Sequence, residues 1–219
     1  GFGHVPVILL SAQGLEKSGF KFTPGLIHRG VMAVVYGDCL MQLLYRVRPY
    51  EAEPGSANRL YEKWAQICRH SLAKVDPRTY VRNIWAMVRE FDALPLVERF
   101  KPRVGIVGEI LVKYHPTANN QVVEIVEKEG CEALVPGLVD FLNYSLFGLD
   151  FKYRYLSGTK ASQILADTAI ALLELYRRPL KEALARSKRF HPPKTIWEIA
   201  QKAKQVLGLG HQAGEGWLL

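Results

Sequence analysis

The chain has 219 residues, 48% of them hydrophobic, and its 29 Lys and Arg against 21 Asp and Glu give a formal charge of +8. That length and apolar content supply the core of one sizeable domain or two small ones, which excludes a disordered chain. No apolar run approaches the roughly 18 residues that span a bilayer, and no basic stretch followed by an apolar one opens the chain, so no membrane partner and a cytoplasmic location are expected.

In chain order, His4 to Leu10 reads as a buried strand followed by a Gly- and Ser-rich loop. Residues 1–22 are therefore read as the end of a preceding α/β domain. Thr23 predicts an N-cap with Pro24 at the first helical position, and Leu26, Ile27, Val31, Val34, Val35, Leu40, Leu43 and Leu44 keep a helical period toward Pro49, with a break allowed near Gly37. Pro54 and Gly55 mark a turn before a helix over 56–72. Asp76 and Pro77 open a third helix that carries Tyr80, Ile84, Met87, Val88 and Phe91 toward a core. Residues 23–101 form a helical segment on this reading.

Near Pro102 the pattern switches from helical spacing to short β-branched runs. Val104, Ile106 and Val107 predict a buried parallel strand over 104–108, where Gly105 and Gly108 permit close backbone approach. Thr117 or Asn119 caps a helix bearing Val122, Val123 and Val126, Gly130 stops it, and Ala133 to Val135 returns as a second strand. The unit is βαβ. Leu138 to Phe147 favours a short helix, and the aromatics of Phe151 to Tyr155 suit packing at a helix start. Thr159 to Ser187 is helical with an interruption or bend at Pro179, and Thr195 to Leu207 is a last amphipathic helix before the glycines at 208, 210, 214 and 216, read as a flexible loop. The fold class is α/β and helix-rich: a Rossmann-like βαβ unit with a small parallel sheet, preceded by a helical segment. Residues 102–219 form the Rossmann-like domain, truncated at its C-terminal end.

Ligands of open α/β sheets sit beyond the carboxyl ends of the strands, which places Gly108, Glu109, Lys113, His115, Thr117, Asn119 and Asn120 around a crevice. A helix start near Ala118 offers amides and a positive dipole to a phosphate or carboxylate. The competing reading has Thr117 and Asn119 as caps, His115-Pro116 as a turn and Lys113 in solvent. A second candidate loop carries His211, Gln212 and Glu215 among glycines. Asp38 with Glu51, or Asp140 with Asp150, could pair in space. No nucleoside triphosphate loop, dinucleotide fingerprint, nucleophile elbow or zinc-protease motif occurs, so a complete catalytic set is not visible. Cys39, Cys68 and Cys131 lie far apart with no paired spacing, which argues against a zinc site or a disulfide framework and favours free thiols in a core. The densest basic cluster, Arg177, Arg178, Lys181, Arg186, Lys188 and Arg189, reads as a solvated helix face or an interface, then as an anion site; nucleic acid comes last.

Several motifs in one order, GIVGEILVKYHPTANN, YGDCLMQLLYRVRPYE, GSANRLYEKW, SKRFHPPKTIWEIAQKA and GEGWLL, resemble the large activase-related proteins of the 2-hydroxyacyl-CoA (2-hydroxyglutaryl-CoA) dehydratase system, over nearly the whole chain. The resemblance implies a dehydratase-like α/β region of a multidomain cytoplasmic protein of anaerobes. Its relatives hold a [4Fe-4S] cluster through cysteines and bind acyl-CoA, while ATP-hydrolysing modules inject an electron. For this chain it implies a module with no cofactor of its own, a cluster and ATP in the full-length protein, and as partners the other domains of the polypeptide, acyl-CoA or a dehydratase. The alternatives are a stand-alone small-molecule enzyme using the 109–120 loop and a basic nucleic-acid-binding module.

Overall fold

Capping side chains set where the helices begin. Thr23 Oγ1 accepts from the Leu26 amide at 3.2 Å and starts α1 (Pro24–Val47), which runs unbroken through Gly37. The carboxylate of Glu51 accepts from the amides of Gly55 and Ala57, at 2.6 and 2.9 Å, and opens α2 (Ser56–Ala73) after the left-handed turn at Gly55. Asp76 accepts from the amides of Arg78 and Thr79 and caps α3 (Pro77–Asp92). The computed structural model describes residues 23–74, 76–209 and 218. The strand read over His4–Leu10, the rest of 1–22, and the loop with His211, Gln212 and Glu215 lie outside these.

Past Pro102 the chain forms β1 (Arg103–Gly105), α4 (Ile110–Tyr114), α5 (Val122–Lys128) and β2 (Glu132–Leu134). The strands pair in parallel, Arg103 with Glu132 and Gly105 with Leu134, so the crossover is the expected βαβ unit. Gly130, at a φ of 84°, ends α5 as a glycine in the left-handed region should. One expectation fails. Val104 and Val107 are exposed and only Ile106 is buried, because β1 is an uncovered edge of a two-stranded sheet: all three of its residues are exposed, while Glu132 and Ala133 on opposite faces of β2 are both buried. The first strand is also shorter than read, ending at Gly105.

Three helices complete the fold: α6 (Leu138–Tyr155), α7 (Lys160–Ala185) and α8 (Ile196–Ala203). The first is 18 residues long where a short helix to Phe147 is predicted. Asp150 extends it, accepting from Arg154 one turn on and from Gln163 Nε2 at 2.6 Å. Phe151 to Tyr155 therefore close a helix and do not start one. The chain reverses at Gly158, where a Cβ would lie 2.6 Å from the Tyr153 amide nitrogen. The second passes through Pro179 without interruption. Leu180, Ala183 and Leu184 just beyond the proline are buried, and their packing outweighs the missing amide hydrogen bond. Thr195 and Glu198 form a capping box at the start of α8.

One hydrophobic core joins these parts. Val35, Cys39 and Leu43 of α1, Trp64 and Cys68 of α2, and Ile84, Met87 and Phe91 of α3 pack with Val139, Leu180, Leu184 and Phe190. Helices of the 23–101 segment thus share their core with elements beyond Pro102. No helix among the described residues is long and apolar enough to cross a membrane.

Candidate ligand-binding site

The loop at the carboxyl end of β1 stands where the crevice rule places it, but its polar groups largely serve its own backbone. Glu109 accepts from the Val112 amide at 3.2 Å and caps α4. His115 Nδ1 accepts from the Ala118 amide at 3.2 Å, and Asn119 bridges the Lys113 carbonyl to the Val122 amide. The free amides expected near Ala118 are thus taken up, and the helix that follows starts later, at Val122, after left-handed residues Asn120 and Gln121. Gly108 takes a φ of 145°, and Thr117 is exposed. Lys113 is not in solvent: it is buried, its ammonium 4.7 Å from the centre of the Tyr114 ring and 5.3 Å from that of Phe141. Tyr114 donates to the Pro136 carbonyl at 2.7 Å and so ties the loop to the segment after β2.

That segment walls a larger cleft of about 690 Å³ between β2, α1, α7, the extended stretch 189–194 and α8. The volume falls in the range of small-molecule sites. Met41, Leu180, Phe190 and Ile199 give it apolar sides, and Arg46, Arg103, Arg189, Lys194 and Lys202 line it with cations. Arg46 and Arg103 both pair with Glu132, a buried carboxylate on β2 that also accepts from the Tyr50 hydroxyl at 2.7 Å. Lys194 and Lys202 are exposed and face one another, and the hydrogen bond and like charge of Lys202 pull the Lys194 ammonium below its ordinary value. With Arg46, Arg103 and Arg189 these lysines give the cleft a basic lining that would attract an anion.

At the inner end of the cleft Asp38 meets the start of α6. Its oxygens accept from the Leu138 and Val139 amides at 2.7 and 2.8 Å, while Asp140 accepts from Gly137 at 3.2 Å. Burial pushes the Asp38 carboxyl up to about 7; the two amides and Arg177 oppose that rise and Asp140 adds to it. Arg177, 2% exposed, pairs with Asp140 and Glu174 and donates to the Lys194 carbonyl at 3.2 Å. Its Nε makes no hydrogen bond within the described protein. The carboxylates brought together are therefore Asp38 and Asp140. Glu51 caps α2, and Asp150 pairs with Arg154.

The basic cluster of 177–189 divides: Arg177 is buried, whereas Arg178, Arg186 and Lys188 are exposed as a solvated face would have them, and several of the cations carry partners. Arg178 pairs with Glu182, Lys181 with Glu174, Arg186 lies over Trp85, and Arg189 donates to the Phe91 carbonyl. All three cysteines are free thiols. Cys39 and Cys68 are core residues whose thiols burial pushes up, that of Cys68 to about 12, and Cys131 belongs to the turn before β2. Sequence carried two overlooked signals for the cleft: Asp38 interrupts an apolar helical run, and Arg177 falls at the helical spacing of buried Ile170, Leu180 and Leu184. No family model, curated protein or solved structure matches the chain.

Proposed function

We propose that this chain is a dehydratase-like module of an activator of 2-hydroxyacyl-CoA (2-hydroxyglutaryl-CoA) dehydratase, and that it holds acyl-CoA without turning it over. In the full-length protein it would serve ATP-driven electron transfer through iron-sulfur clusters, in the cytoplasm. The motif resemblance supplies the system. The observation that carries the ligand reading is the cleft, whose apolar sides suit an acyl chain and whose Lys194 and Lys202 suit phosphates. Part of it lies past the carboxyl end of β2, along Val135 to Gly137, where α/β sheets place their ligands. The carboxylates at its inner end are committed to amides and to Arg177, which supports a holding role over acid–base chemistry.

Titrating the protein with acyl-CoA, ATP and duplex DNA at two salt concentrations tests this reading. Saturable binding of acyl-CoA alone is expected. Tight, steeply salt-dependent DNA binding would replace it with the nucleic-acid reading, and turnover of the thioester would replace it with the enzyme reading.

A further inference from the structure

The outward face of α7 is apolar for about four turns. Ile164, Leu165, Leu172 and Leu175 are 56, 70, 48 and 61% exposed, and Ala161, Thr168 and Ala171 lie exposed among them. At 100° per residue these seven fall within one stripe, opposite the buried face of Ala166, Ile170, Arg177 and Leu180 that packs inward. From Ala161 to Leu175 the stripe is about 21 Å long at the helical rise. Leu165, Thr168, Leu172 and Leu175 recur at the 3-4-3 spacing of a two-helix seam. A helix so apolar on its solvent side marks an interaction surface.

The charges beside the stripe identify its occupant. Lys160, Asp167, Arg178 and Glu182 all fall on one flank, the side of Ile164 and Ala171. When two copies of α7 are laid antiparallel with Leu165 opposite Leu175 and Thr168 opposite Leu172, this flank meets its own copy. Lys160 then faces Glu182 of the second copy, Asp167 comes within a turn of its Arg178, and the small Ala171 sits against itself on the two-fold axis. Each charge meets its opposite, and each pairing occurs twice by symmetry. A parallel arrangement turns the charged flank toward Ala169 and Tyr176 and loses these pairs.

We infer that the α7 face is a self-complementary dimer interface, closed antiparallel by the Leu165–Leu175 seam with Lys160–Glu182 and Asp167–Arg178 pairs across it. The surface lies on the side of α7 away from the cleft, and the inference is independent of what the cleft binds.

Analytical ultracentrifugation of the full chain across the micromolar range tests it, with circular dichroism confirming that each variant folds. The wild type is expected to dimerise, and Leu172→Glu to weaken dimerisation by about 100-fold. Asp167→Arg and Arg178→Asp should each weaken it, and their combination should recover most of the loss. Ala171→Cys should form an intermolecular disulfide under oxidation, and Leu165→Cys, set opposite leucine, should not. A wild type that stays monomeric, a dimer indifferent to Leu172→Glu, a charge swap without recovery, or equal cross-linking at both cysteines would overturn the proposal.

Discussion

Asp38 reaches the first amides of α6 only because residue 137 has no side chain: a Cβ there would lie 2.7 Å from Asp38 Oδ2. The φ of Gly137 is −65°, open to any residue, so the requirement is steric alone. Gly137→Ala is expected to displace the carboxylate and leave the Leu138 and Val139 amides without their acceptors, at about 1–3 kcal/mol. Urea unfolding of Gly137→Ala, Asp38→Ala and the double variant checks this. The losses should be strongly non-additive, since either change alone breaks the same contact.

The same carboxyl governs a pH effect. Its folded value, about 7, lies above the ordinary carboxylate value of 3.8. Its contribution is therefore fully present below the unfolded value and is lost as pH rises through about 7, because deprotonation then proceeds more easily in the unfolded chain. Between those limits the wild type should lose up to about 1.4 kcal/mol of stability per pH unit relative to Asp38→Asn, which cannot ionise. Asp38→Asn starts from an offset, as its amide supplies one acceptor where two amides need them, so the slope is what tests the claim. Parallel curves of unfolding free energy between pH 4 and 8 would contradict it.

Arg177 neutralises Asp140 and Glu174 at the point where α6, α7 and the 189–194 stretch converge. Arg177→Met fits the space but leaves Asp140 without its cation and Glu174 with Lys181 as its one remaining cation, and about 3–5 kcal/mol should be lost. Arg177→Lys should recover only part of this, since an ammonium cannot match the guanidinium fork. Thermal and urea unfolding give both values.

Thiol accessibility distinguishes the cysteines. Cys39 and Cys68 are buried with thiols pushed up, and Cys131 is partly exposed. A disulfide reagent should modify one thiol rapidly in the native protein and all three after unfolding. Cys131→Ser should remove the fast phase, and two fast thiols would show that the core is looser than described.

What could be read from the sequence was local. Thr23, Asp76 and Gly130 announced helix ends because a cap depends on residues within one turn, and the switch of period near Pro102 located a parallel βαβ unit. The misreadings came where packing decides. The length of α6 depends on Asp150 meeting Gln163 of the next helix, and the course of α7 through Pro179 depends on the burial beyond it. Val104 looked like a core residue because a β-branched run fits a covered strand and an open one equally. The cleft draws on α1, β2, α7, α8 and the 189–194 stretch, which no window of sequence brings together, and the one-loop crevice held caps whose polar groups face their own backbone.

Isothermal titration of acyl-CoA into the wild type and into the Lys194→Ala, Lys202→Ala double variant tests the central claim most directly. Both lysines are exposed, so the fold should be unaffected. One site per chain is expected, weakened at least about tenfold in the double variant and unchanged in Thr117→Ala, which lies on the β1 loop. Absence of binding, or equal affinity in the wild type and the double variant, would contradict the account.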